Sequence, residues 1–129
     1  QTDCPSWVPL LSTPQFQAYV SGHSTFSSAG AAVLAAMYGD STPFSLTVTD
    51  ASLGLLNVTR SFNGFTEAAA EAGQSRIYGG IHWQFDNTVG LTAGAMVGEQ
   101  AYANFLQVPG PTGASLLALA GAAALRRRR

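Results

Sequence analysis

Apolar residues return at three- and four-residue steps along 23–38, where "HSTFSSAGAAVLAAMY" sets Phe26, Gly30, Val33, Leu34 and Met37 on one side of a predicted helix. Gly39 stops it, and Asp40, Ser41 and Pro43 follow as breakers. The period then changes to two. "FSLTVTD" at 44–50 alternates apolar and hydroxyl residues, and "LLNVTRSF" at 55–62 is β-branched enough to pair with it across a loop at 50–54. A small hairpin is expected there. "TEAAAEAG" at 66–73 reads as a short helix with Thr66 as N-cap, Glu67 in the first turn and Gly73 as its stop. The longest periodic run, 82–106, predicts a buried helix whose inward face carries Val89, Ala93, Met96, Val97, Ala101 and Phe105. Residues 1–20, with Pro5, Pro9 and Pro14, show no sustained period and read as an irregular arm with at most one short helical turn. The fold class this predicts is mainly α, a helical bundle with a small β-hairpin-like insertion around 44–62.

Composition adds limits. A chain of 129 residues, 47% hydrophobic and 10% charged, is sized for one small folded domain. The net charge of −1 offers no basic field for nucleic acid, which is not expected as a partner, and four of the six positive residues are the terminal run Arg126 to Arg129. All six are Arg; there is no Lys. Cys4 is the only cysteine, so an internal disulfide and a cysteine-rich zinc site are excluded. The start at Gln1, without Met or signal peptide, suggests a fragment or a processed form.

The domain is expected over 1–107, with 108–129 different in kind. There "VPGPTGASLLALAGAAALRRRR" runs from a Pro-Gly linker through an apolar segment to the Arg cluster. Its 18 uncharged residues, 12 of them in the apolar part, make a marginal span against the ~20 a bilayer needs. A terminal core helix with a solvated basic tail is the plainer alternative, although Arg at the end of a span fits the positive-inside rule.

The candidate chemistry lies in two segments. In "SRIYGGIHWQFD", Arg76 and His82 are six apart, which on one helix would turn them about 240° from each other. Gly79 and Gly80 permit a backbone turn that brings guanidinium and imidazole onto one small ligand. His82 and Asp86, at i and i+4 on the following helix, share a face, so the carboxylate can hold one ring nitrogen and leave the other as nucleophile or ligand. "SGHSTF" puts Ser21, the Gly22 amide and His23 at a helix start, where unpaired N–H groups and the helix dipole favour an anion. Together they describe a site for a tetrahedral or trigonal-bipyramidal oxyanion, phosphate or vanadate. Taken singly each has a plainer role: Ser21 as an N-cap only, a His as a hydrogen-bonded core residue, Arg76 as a surface charge paired with Glu71. Taken jointly they concentrate His23, Arg76, His82 and Asp86 in a chain otherwise poor in ionisable groups. Trp7 and Trp83 read as packing residues.

"SGH" at 21–23 and "SRIYGGIHWQFD" at 75–86, with 51 residues between them, resemble motifs two and three of the vanadium-dependent haloperoxidases and type-2 phosphatidic acid phosphatases. Ser75, Arg76, His82 and Asp86 match every fixed position of the third motif; the second departs at Val20, where the family usually has Pro. The likeness extends over roughly 9–106, and its longer stretches look more like bacterial haloperoxidase homologues than lipid phosphatases. It implies the C-terminal part of a helical bundle of the haloperoxidase/acid phosphatase type. It implies His82 as the axial vanadate ligand, or as the phosphorylated nucleophile of a phosphatase, with His23 as the acid-base residue opposite. Arg76 would neutralise oxyanion charge, Ser21 and Gly22 would bond equatorial oxygens, Asp86 would orient the His82 ring, and Phe16 matches the aromatic near the halide site of chloride-oxidising members.

The resemblance implies vanadate as cofactor and hydrogen peroxide and halide as reactants, or else a phosphomonoester and no cofactor; an inactive surface-displayed module is a third reading. The family's first motif supplies a Lys and a second Arg followed by Pro. Neither is present, so the chain reads as part of a longer enzyme that alone binds vanadate poorly. The tail resembles a PEP-CTERM sorting signal, with Val108-Pro109-Gly110-Pro111 for Val-Pro-Glu-Pro. That implies a Gram-negative bacterium, export to the cell envelope or beyond, a transient membrane anchor and a processing protease as partner.

Overall fold

The computed structural model describes residues 6–107, together with Leu117 and Arg126. The elements run α1 (Gly22–Tyr38), β1 (Phe44–Asp50), a 3-10 turn (Ala51–Leu53), β2 (Leu55–Phe62), α2 (Phe65–Tyr78) and α3 (Gln84–Phe105). The tail beyond 107, with its linker, sorting-signal resemblance and marginal span, lies outside the described residues except at those two positions, as does Cys4. Among the described residues no helix is long and apolar enough to cross a membrane.

Local chemistry sets most boundaries. Ser21 caps α1, its Oγ accepting from the Ser24 N–H at 3.3 Å, and Gly39, at φ 84°, ends the helix in a conformation that favours glycine. The hairpin forms as the alternation predicts. Its strands pair antiparallel, with Phe44 opposite Phe62 and Val48 opposite Val58. Hydroxyl pairs Ser45–Ser61 and Thr47–Thr59, each 2.9 Å apart, bridge its exposed face. Phe44 packs on Phe62 and Phe65, at centroid distances of 5.3 and 5.4 Å, and so fixes the hairpin to α2. Arg60 donates from Nε to Glu71 Oε1 at 2.9 Å, a second tie between hairpin and helix. Glu71 is therefore the partner of Arg60, not of Arg76.

Two expected helix ends move. The α2 N-cap is Gly64, not Thr66; the Thr66 N–H instead donates to Asp40 Oδ1 at 2.9 Å, so a carboxylate from the loop after α1 does the capping. That bond is the main reason the Asp40 carboxyl is held below the usual carboxylate range. Gly73 does not stop α2, which continues to Tyr78. It is buried mid-helix because a Cβ there would stand 2.1 Å from Asn87 Oδ1. The glycine is needed for close approach, not for termination.

The helices meet through small residues. Along α3 the buried positions are Asp86, Asn87, Gly90, Gly94 and Gly98, and a Cβ on Gly94 or Gly98 would lie 2.2 Å from Thr25 O or 2.3 Å from Ala29 O of α1. Backbone contact this close leaves the predicted apolar face of α3 turned outward: Met96, Val97 and Phe105 are exposed. The α1 face differs in the same way, with Ser24 and Ala31 buried and Phe26 82% exposed. Trp83, expected to pack, is 69% exposed at the N-cap of α3. Among the described residues the buried hydrophobics are Ala31, Ala69 and Ile81, beside buried Ser21, Ser24, His82, Asp86 and Asn87. The interior of this bundle is as polar as it is apolar.

Candidate functional site

The α2–α3 junction places Arg76 and His82. Arg76 lies in the last turn of α2, and the chain then turns through Gly79 and Gly80, the second at φ 74°. That backbone region favours glycine, as the sequence implied. The Ile81 N–H donates to Arg76 O at 3.2 Å, closing the turn. The N-terminal arm lies against it: Leu11 N–H donates to Gly79 O at 3.1 Å, and Trp7 and Pro9 sit where a Gly80 Cβ would reach 3.0–3.2 Å. Trp7, though mostly exposed, thus has a packing contact.

His82 lies in the bend before α3, two residues ahead of its first turn, and not on the helix itself. Its Nδ1 is nonetheless 3.3 Å from Asp86 Oδ2, with the histidine 8% and the aspartate 0% exposed. The same Oδ2 accepts the Trp83 N–H at 3.0 Å, so Asp86 both caps α3 and holds the His82 ring. Nε2 is left as the nitrogen that can meet a ligand.

The start of α1 comes to the same place. The Ser21 N–H donates to Asp86 O at 3.2 Å, tying the α1 cap to the first turn of α3. His23 keeps an exposed edge. Packing around it, then the Arg76 guanidinium, then His82 in its charged form, hold the His23 imidazole below its ordinary pKa. His23, Arg76 and His82 are thus electrostatic neighbours, although His23 lies more than 50 residues before the other two. At Gly22 an added Cβ would meet nothing within 4 Å, so the α1 N-terminus borders open space.

Two buried polar atoms have no hydrogen-bond partner among the described residues, Arg76 Nε and Asp86 Oδ1. An unpaired guanidinium nitrogen is costly unless something anionic reaches it. That orphan donor, the amides at the α1 start and an Asp-held imidazole form a donor set that fits an oxyanion.

Ser75 is peripheral: it is exposed and donates to Ala72 O at 2.7 Å. Phe16 is 67% exposed. Sequence reasoning missed Ser24 and Asn87. Ser24 Oγ lies 2.8 Å from Ser21 Oγ and 2.7 Å from Asn87 Oδ1, all buried, directly behind the site. Their signal was present: Ser24 is three residues past the cap, and Asn87 follows Asp86 on the small-residue face of α3.

This is a small-residue-packed helical bundle that gathers two histidines, an arginine and an aspartate at the meeting of its helix ends. Residues 1–110 match the family described as the VCPO second helical-bundle domain, and the chain belongs to that family. The crystal structure of a bacterial vanadium-dependent iodoperoxidase is 44% identical with a TM-score of 0.65, over 73% of this chain and 22% of that one. Crystal structures of a holo-type and an apo-type bacterial vanadium-dependent chloroperoxidase, each 18% identical, superpose with TM-scores of 0.66 and 0.64, and show the fold alone. The match covers 77% and 75% of this chain and 23% of each of theirs, so the chain spans less than a quarter of these relatives. No curated protein matches.

Proposed function

We propose that this domain supplies the vanadate-binding half of a haloperoxidase that oxidises halide with hydrogen peroxide. The observation that carries the reading is the buried His82–Asp86 pair, 3.3 Å apart, with Arg76, whose buried Nε has no partner among the described residues, acting with His82 on the same His23. His82 Nε2, Arg76 and the Gly22 amide would hold vanadate, with Ser21 at its edge. Bound vanadate supplies the electrophilic centre at which peroxide is activated. Asp86 keeps Nδ1 engaged, so the ring presents Nε2. His23, its pKa lowered first by packing around it and then by Arg76 and His82, would accept a proton from an incoming peroxide. Phe16 is proposed as an apolar neighbour of the halide.

Arg76 is the cation this site contributes, and the chain has no Lys. Affinity for the oxyanion should therefore be weak until a longer polypeptide adds the family's Lys and second Arg. The outward apolar faces of α1 and α3 fit the same picture of a domain built into a longer enzyme. The 108–129 tail is proposed as a sorting signal removed on export; an intact mass that retains Arg126 to Arg129 on exported protein would refute that.

Titrating vanadate and inorganic phosphate into the chain by calorimetry tests the site. Saturable binding that disappears in His82→Ala is expected. Iodide or bromide oxidation that requires vanadate and is inhibited by phosphate would follow. Hydrolysis of an aryl phosphate, inhibited by vanadate, would instead assign the pocket to a phosphatase. Full affinity in His82→Ala overturns both.

A further inference from the structure

Gly79 has no backbone reason to be glycine. Its φ and ψ, −68° and −11°, are ordinary helical values that any residue adopts, in contrast to Gly80 at φ 74°. What excludes a side chain is the N-terminal arm. A Cβ on Gly79 would stand 2.6 Å from Leu11 Cδ1 and 3.0 Å from Leu11 Cγ, so turning the tip of the leucine alone does not clear it. Leu11 lies on the bare backbone there, 38% exposed against 83% for Leu10, and donates its N–H to Gly79 O at 3.1 Å. Trp7 and Pro9 lie over Gly80 in the same way. The glycine pair is a seat for the arm as well as a turn.

That seat is bonded to the backbone that carries the site. The Gly79 N–H donates to Ser75 O at 2.9 Å and the Ile81 N–H to Arg76 O at 3.2 Å, so the turn and the last turn of α2 move together. His82 has Asp86, 3.3 Å away, to hold its ring. Arg76 has no such holder at Nε, which is buried and without a partner among the described residues, so its aim depends on where the end of α2 is kept. From Leu11 the arm runs on past Tyr19, whose ring lies 6.1 Å from that of Phe85 in the first turn of α3, into the Ser21 cap and His23. One continuous segment thus joins the end of α2 to the start of α1, the two sides between which the oxyanion is placed.

We infer that the arm over residues 7–20 is a strap, and that Leu11 is a positioning residue which, seated on Gly79, holds the end of α2 so that Arg76 reaches the same anion as His82. The inference rests on the oxyanion-site reading above. Coupling of this kind is reciprocal: a strap that favours the bound anion is itself favoured by it, so phosphate should tighten the Leu11–Gly79 bond.

Amide hydrogen exchange on the unsubstituted chain reads that coupling without any substitution. Saturating inorganic phosphate should slow exchange at the Leu11 N–H, and by more than at the amides of α3 beyond Gly98; no greater slowing at Leu11 overturns the strap. Calorimetry with inorganic phosphate then compares Gly79→Ala, Leu11→Ala and the double variant, with circular dichroism checking their helix content. Gly79→Ala displaces Leu11 and should lower affinity about ten-fold, part of the worth of a charge-assisted bond from Arg76. Leu11→Ala keeps the N–H and loses only packing, so a loss of about two-fold is expected. In Gly79→Ala/Leu11→Ala the new Cβ takes the space of the removed leucine atoms, the arm seats again, and affinity should return to that of Leu11→Ala. Gly79→Ala binding like the unsubstituted chain, or a double variant whose loss is the product of the two single losses, overturns the strap and leaves the oxyanion site standing. No saturable binding by the unsubstituted chain overturns the oxyanion site and the strap with it.

Discussion

Gly94→Ala should destabilise this bundle although alanine is the better helix former. The new Cβ would stand 2.2 Å from Thr25 O and 2.9 Å from Ser28 Cβ, about 1 Å inside ordinary contact with a backbone atom that cannot rotate away. Helices α1 and α3 must part, and overpacking of that kind costs about 1–3 kcal/mol. Against it stands the roughly 1 kcal/mol that Ala gains over Gly within a helix. The net loss should be roughly 0–2 kcal/mol, or up to about 16 °C in Tm for a domain of this size. Gly30→Ala on α1 is the control, because an added Cβ there meets nothing within 4 Å and only the gain remains. Urea denaturation followed by circular dichroism compares the two. Gly94→Ala as stable as Gly30→Ala would refute the close α1–α3 contact.

Three further outcomes follow from the same geometry. Gly80→Val forces a β-branched residue into φ 74° and against Trp7 and Pro9; it should cost about 1–2 kcal/mol by denaturation and weaken oxyanion binding by calorimetry, and unchanged affinity would count against the turn's role in aligning Arg76 with His82. Gly22→Ala should leave the fold at least as stable but reduce phosphate affinity, since its Cβ enters the open space where the anion is placed; retained affinity would move the anion elsewhere. The folded pKa of His23 is lowered, so the unfolded chain binds more protons between that value and the ordinary ~6.5, and stability should fall as pH drops through this window. A titration of the His23 ring by NMR should show the low value, moved upward by phosphate; an ordinary or raised value without ligand would contradict the placement beside Arg76.

The elements were legible in the sequence because local rules fix them. Ser21 and Gly39 bound α1, and strict alternation makes the hairpin of β1 and β2. The packing faces were not. Reading Phe26 or Met96 as inward assumes that the largest apolar residues mark the contact, whereas here backbones approach too closely for them and glycine and serine fill the seam. Gly73 was read as a stop because glycine commonly ends helices, when what requires it is an asparagine 14 residues further along. Of the site, the charged residues were legible because the chain has so few. Ser24 and Asn87 were not, since their importance lies in partners 63 residues apart.

That seam also couples stability to the site. Ala31, Ala69 and Ile81 are small returns of hydrophobic burial for a bundle of three helices. What joins α1 to α3 is in large part polar: Ser21 N–H to Asp86 O at 3.2 Å, Ser24 to Asn87 at 2.7 Å, and Ser28 Oγ donating to Leu91 O at 2.7 Å. Buried polar groups stabilise only when their partners are all in place, so each of these bonds is sensitive to its neighbours. Two of the three lie at the end of the seam where His82 and Asp86 sit. The interactions that hold the helices together there also aim the groups proposed to bind an oxyanion, so ligand binding and folding should be linked. Saturating phosphate should raise Tm, and the increase should shrink in Ser21→Ala and His82→Ala. Equal increases in all three proteins would show that phosphate acts on the bundle somewhere other than this seam.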